Sequence, residues 1–88
     1  MSVRKIKTAS GALGIVRKKV RLAGVVQGVG FRPYVFRLAR HHGLGGRVWN
    51  TAGQVEVEVE GEAGAVAAFL AELPQNLPIL AILTDISW

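Results

Sequence analysis

Eighty-eight residues without a cysteine make one small domain, near the size at which a single apolar core just suffices, and they exclude a disulfide framework and a thiolate metal site. No apolar run reaches the ~18 residues of a membrane span, and no signal-type segment opens the chain, so the cytoplasm is the expected compartment and a membrane is not an expected partner. The net charge of +5 is unevenly spread: residues 1–21 carry seven Lys or Arg and no acid, whereas residues 22–88 carry four arginines against six acids, so the basic character belongs to the lead-in and the globular part is mildly acidic.

Residues 1–17 mix Lys and Arg with Ser10, Gly11 and Gly14 and show no sustained period. They are predicted to form a basic, poorly ordered arm, with a short ordered piece at Ala12–Val16, ahead of a domain spanning 18–88. A first strand begins at Arg17 or Lys18 and runs to Val26, with Val20, Leu22 and Val26 on one face and Arg21 on the other. Gly24 inside it marks a bulge or a close backbone approach. A helix over Arg32–His42 places Val35, Leu38, Ala39 and His42 on one stripe, with Arg37, Arg40 and His41 outward, and Gly43 ends it. The adjacent His41 and His42 lack ligand spacing, so no metal is expected, and His42 reads as a half-buried packing residue.

Gly45-Gly46 opens a strand to Asn50, and Thr51-Ala52-Gly53 turns into a third strand, Gln54–Glu60. There Val55, Val57 and Val59 alternate with Glu56, Glu58 and Glu60, the period of a half-buried strand. A second helix over Ala63–Leu73 carries Val66, Phe69, Leu70 and Leu73 on its stripe. Pro74 and Pro78 bracket a loop, and Ile79–Trp88 supplies the last strand. The order β-α-β-β-α-β, with two one-striped helices, implies an α+β, ferredoxin-like sandwich: a four-stranded antiparallel sheet with both helices on one face. The other face is left to solvent and to the glutamates.

Between the first strand and the first helix lies Gly24-Val25-Val26-Gln27-Gly28-Val29-Gly30-Phe31-Arg32-Pro33-Tyr34. Glycines can take φ > 0 and let successive N–H groups converge, the first N–H groups of a helix lack ladder partners, and the helix dipole favours an anion there. Arg32 offers a planar fork for phosphate, and a first-turn Pro33 removes no ladder bond. On spacing alone two readings stand: an oxyanion cradle, or a tight connection with a solvated arginine. No Gly-Lys-Ser/Thr follows, so this is not a Walker loop, and the dinucleotide-binding fingerprint is incomplete.

Gly24-x-Val26-Gln27-Gly28-Val29-Gly30-Phe31-Arg32 resembles the signature loop of the acylphosphatase family, and the likeness continues through Gly46-Arg47-Val48-Trp49-Asn50-Thr51 to the final strand, covering about Val20–Trp88. Pro33 after the arginine, a turn at Thr51–Gly53 one residue shorter than in stand-alone members and without their Asp-Gly pair, and Leu77-Pro78-Ile79-Leu80-Ala81 are similar to one subgroup. That subgroup is the acylphosphatase-like domain at the N-terminus of the carbamoyltransferase HypF, which helps mature nickel–iron hydrogenases. The chain reaches Trp88 without a turn or cap, as though it continued into a larger maturation protein.

The resemblance implies hydrolysis of the carboxyl–phosphate bond of acyl phosphates, or of carbamoyl phosphate in the HypF subgroup, with no cofactor and no metal. It also implies the site. The backbone N–H groups of Gln27, Gly28, Val29, Gly30 and Phe31, with the Arg32 guanidinium, hold the phosphoryl group, and Asn50 holds the attacking water. As a bare residue Asn50 is a turn former. The composition is compatible: without cysteine, a glycine-flanked serine or paired carboxylates, covalent and two-carboxylate catalysis lack their groups. A non-enzymatic binding module on the same sandwich would need aromatics on the central strands for base stacking; strand three displays glutamates instead, so nucleic acid is not an expected partner.

Overall fold

The alternation of the first strand decides the layering. In the computed structural model, which describes residues 14–88, that strand is β1 (Ile15–Val25), with Val20 and Leu22 fully buried. It is followed by α1 (Phe31–His41), β2 (Gly45–Thr51), β3 (Gln54–Glu62), α2 (Ala63–Glu72) and β4 (Ile82–Ser87). The strands form one antiparallel sheet in the order β2-β3-β1-β4, the ferredoxin-like arrangement expected from the element order. Val20 and Leu22 of β1 and Val55, Val57 and Val59 of β3 join Val35 and Leu38 of α1 and Val66 and Phe69 of α2 in one core. Burial of a large apolar side chain such as Phe69 contributes about 1.5–3 kcal/mol.

The strands differ from expectation at their outer ends. β1 starts at Ile15 because β3 runs on to Glu62, and the added residues pair with one another: Ile15 faces Glu62 and Arg17 faces Glu60. The expected arm over residues 1–17 therefore overlaps β1 at Ile15–Arg17, and its residues 1–13 lie outside those described. β4 starts at Ile82, three residues later than Ile79. The Ala81 N–H donates to the Pro78 carbonyl at 2.9 Å, so a turn occupies this apolar stretch and leaves Ile79 and Leu80 98% and 69% exposed.

Gly24 does sit at an irregularity: the β1–β4 register shifts between Ala23 and Gly24. Its φ is +130°, and a Cβ there would lie 2.1 Å from the Ile82 carbonyl oxygen. Gly43 ends α1 as expected, at φ +71°. The Gly43 N–H donates to Arg40 O and the Leu44 N–H to Ala39 O, the paired bonds of a Schellman cap that satisfy the last helical carbonyls.

Two contacts tie the helices together. The Tyr34 hydroxyl donates to the Leu73 carbonyl at 2.6 Å, and burial, the leading influence on the phenol, pushes its pKa up, so it stays a neutral donor. His42, half-buried as expected, places Nε2 3.0 Å from Glu72 Oε1. On the open face the glutamates of β3 meet arginines across the strands: Arg17–Glu60 at 2.7 Å, Arg21–Glu56 at 3.4 Å and Arg47–Glu58 at 3.2 Å. Exposed pairs of this kind add only ~0–1 kcal/mol each, but they neutralise a row of acids. The charge reason for setting nucleic acid aside is thereby weakened; the aromatic reason stands, since β1 and β3 carry no aromatic residue. The Arg47 guanidinium also lies 4.9 Å from the Trp49 ring centre. Among the described residues no helix is long and apolar enough to cross a membrane.

Candidate active site

The antiparallel register gathers three segments at one end of the sheet. Val25 closes β1 opposite Ile82, the first residue of β4, and Thr51 closes β2 opposite Gln54, the first residue of β3. The loop 26–30 and the turn Ala52–Gly53 therefore leave the sheet on the same side, and Asn50, two residues before that turn, is carried there with them.

The loop is built by its glycines and anchored by its neighbours. Gly28 and Gly30 have φ of +75° and +79°, the left-handed conformation that turns backbone N–H groups toward a common concavity. A Cβ at either glycine would meet nothing within 4 Å, so the requirement there is conformational and not steric. Val26 at the start of the loop and Phe31 just after it are each 1% exposed, and Val29 packs against the core. The Phe31 ring lies 5.8 Å from that of Tyr34, centre to centre. Apolar side chains thus point inward, and the loop backbone is held open from below.

The N-terminus of α1 carries no acid in its first turn, and its cap residue, Gly30, makes no side-chain hydrogen bond. The first ladder bond runs from Tyr34 N–H to Gly30 O at 3.2 Å. Pro33 has no N–H, which leaves the Phe31 and Arg32 amides as the donors facing outward at the positive end of the helix dipole. Arg32, the second helical residue, is exposed and takes part in none of the ion pairs among the described residues. Asn50 is also exposed and pairs with Val55 within the β2–β3 ladder.

The loop and the turn are joined directly. The Gln27 side-chain amide donates from Nε2 to the carbonyl oxygens of Thr51 at 2.8 Å and Gln54 at 2.9 Å. All the residues expected at the site thus meet at this end of the sheet: Gln27, Gly28, Val29 and Gly30 in the loop, Phe31 and Arg32 in the first helical turn, and Asn50 across the Gln27 bridge. Chemically this end of the sheet offers helix-start amides without ladder partners and a guanidinium outside the ion pairs of the described residues. Among the described residues no three of His, Cys, Asp and Glu converge as a metal site would need.

The acylphosphatase family model matches residues 18–87. Carbamoyltransferase HypF2 of Cupriavidus necator is 46% identical over 71 residues, which make up 81% of this chain and 9% of that protein. In three dimensions, full-length HypF in its phosphate- and nucleotide-bound form superposes with a TM-score of 0.80 at 40% identity, over 83% of this chain and 10% of that one. The acylphosphatase of Bacillus subtilis superposes with a TM-score of 0.76 at 35% identity, over 83% of this chain and 80% of the other. The chain therefore spans about a tenth of the length of the HypF proteins it matches and most of the length of a stand-alone enzyme.

Proposed function

Because this chain belongs to the acylphosphatase family, a family of hydrolases, we propose that it cleaves the carboxyl–phosphate bond of acyl phosphates, with carbamoyl phosphate as the substrate and the HypF N-terminal domain as its setting. The observation that carries the reading is the uncapped N-terminus of α1, opening on the two left-handed glycines of the loop beside an arginine free of ion pairs. The HypF setting is supported by the 46% identity to the Cupriavidus carbamoyltransferase and by the Leu77-Pro78-Ile79-Leu80-Ala81 segment. The coverage of the Bacillus enzyme favours a second reading, a stand-alone acylphosphatase of the same chemistry.

In this mechanism the phosphoryl oxygens sit against the amides of Gln27–Phe31 and the Arg32 fork, where donors already in place stabilise the charge that develops on them. Asn50 orients a water in line with the bond to be broken. The water oxygen bonds to phosphorus, the bond from phosphorus to the acyl oxygen breaks, and the carboxylate, or carbamate, departs with the electron pair. An amide is no base, so the water proton passes to the phosphoryl group itself. A carboxylate is a good enough leaving group for positioning to carry the rate.

The test is hydrolysis of acetyl phosphate and carbamoyl phosphate side by side, with inorganic phosphate as inhibitor. Competitive inhibition, with loop amide resonances moving on phosphate titration, is the expected result. Absence of turnover on both substrates, or amide shifts confined to another surface, refutes the proposal. The natural reading frame separates the two settings: a long continuation with cysteine-rich zinc motifs marks HypF, and a stop near Trp88 marks a free-standing enzyme.

A further inference from the structure

The geometry points to a role for the Gln27 side chain that its place in the anion loop does not require: it is the positioning residue that sets Asn50 against the loop. Both of its acceptors, Thr51 O and Gln54 O, are carbonyls, so only the nitrogen end of the amide satisfies them and both of its hydrogens are used. Those two residues face each other across the mouth of the Ala52–Gly53 turn. A single side chain therefore grips both legs of the hairpin, one residue from Asn50.

The need for such a grip follows from the topology. Among the described residues β2 is an edge strand paired with β3 alone, and no second strand of that set braces the Asn50 end. The Gln27 bridge spans 24 and 27 residues of sequence and closes the gap on the loop side. A displacement of ~1 Å in a positioned group can cost a factor of ~100 in rate, and twisting of an unbraced hairpin is a motion of that kind. Side-chain length and chemistry are both specified. Asparagine is a methylene shorter, and glutamate has the right length but, when ionised, sets an acceptor-only group against two carbonyl oxygens.

The inference rests on the water-holding role proposed for Asn50, and the experiment keeps the two apart. Acetyl phosphate hydrolysis and inhibition by inorganic phosphate are measured for the wild type, Gln27→Ala, Gln27→Glu, Asn50→Ala and the Gln27→Ala/Asn50→Ala double variant. Gln27→Ala should lower kcat by ~10- to 100-fold, the scale of a misplaced group, while KM and the phosphate inhibition constant stay within about threefold. Gln27→Glu should not restore kcat. On the Asn50→Ala background the Gln27 substitution should cost less than about threefold more, the non-additivity of residues acting as a unit. A full additive loss in the double variant, or weakened phosphate binding with kcat unchanged, overturns the inference, since Gln27 would then serve the loop. If the wild type hydrolyses no acyl phosphate, the functional reading is what fails, and the bridge is judged by backbone order parameters. A loss of order at residues 50–54 in Gln27→Ala, with 28–32 unaffected, upholds the bridge; an equally ordered hairpin refutes it.

Discussion

Replacing Gly24 by alanine should be among the most damaging small substitutions in this chain, although it adds only a methyl group. The new Cβ would lie 2.1 Å from Ile82 O and 2.9 Å from Thr84 N, where ordinary contacts are 3.4–4 Å. Both neighbours are β4 backbone, so relief requires that strand to move by more than ~1 Å, and overpacking of this kind costs about 1–3 kcal/mol. A φ of +130° in a residue with a Cβ adds about 1–3 kcal/mol. The two contributions together come to roughly 2–6 kcal/mol of lost stability. For a domain of this size each kcal/mol lowers the melting temperature by about 4–8 °C, so a fall of at least roughly 8 °C is expected. Urea denaturation and thermal melts followed by circular dichroism provide the measurement. Gly64→Ala is the control: it lies in α2 with nothing within 4 Å of its Cβ, and helix propensity predicts a gain of ~0.5–1 kcal/mol. A Gly24→Ala protein within ~0.5 kcal/mol of wild type would refute the steric reasoning.

Asn50→Ala should leave phosphate inhibition nearly intact while cutting kcat by ~100-fold or more, because the group acts on the water and not on the phosphate. A variant with full kcat would remove Asn50 from the mechanism, and one that unfolds would mark it as a turn former. Arg32→Ala should raise KM or abolish turnover, and Arg32→Lys should recover little, since an ammonium cannot reproduce the two-pronged grip; recovery by lysine would reduce the role to a point charge. Tyr34→Phe should lose ~0.5–1.5 kcal/mol at neutral pH with the bond to Leu73 O. The folded-state phenol titrates above its ordinary value, so its contribution is complete below that value and disappears as pH rises through the folded one. Above that window the gap between Tyr34→Phe and wild type in urea midpoints should close; a constant gap would show that the phenol ionises without consequence.

What could be read from the chain was whatever depends on local period or on one loop. Val55, Val57 and Val59 alternate too regularly for anything but a strand with one buried face, and with two helical stripes they leave few arrangements besides this sandwich. The cradle was visible because two glycines, a helix start and an arginine stand within six residues. The chain was misleading where a residue's surroundings come from far away in sequence. Arg17 looked like part of a basic tail until Glu60 stood opposite it. Ile79 and Leu80 looked like strand because they are apolar, yet the Pro78 turn holds them out in solvent. Tyr34 gave no sign of burial, because its hydroxyl depends on a carbonyl 39 positions away. The Gln27 amide was equally illegible: the motif locates its backbone, while its side chain answers to a hairpin that only the tertiary fold brings near.

The pairing of Arg47 with the Trp49 ring has an optical consequence. The chain contains two tryptophans. Trp49 is half-buried on β2, next to Asn50 and beneath a guanidinium, whereas Trp88 is 62% exposed beyond β4, near Val16 and Lys18. Their indoles therefore differ in access to water and to collisional quenchers. Once Trp88 is changed to phenylalanine, the emission excited at the red edge of the indole band, where Tyr34 does not absorb, comes from a single tryptophan on the hairpin that carries Asn50. Movements of that hairpin can then be followed in real time without attaching a dye.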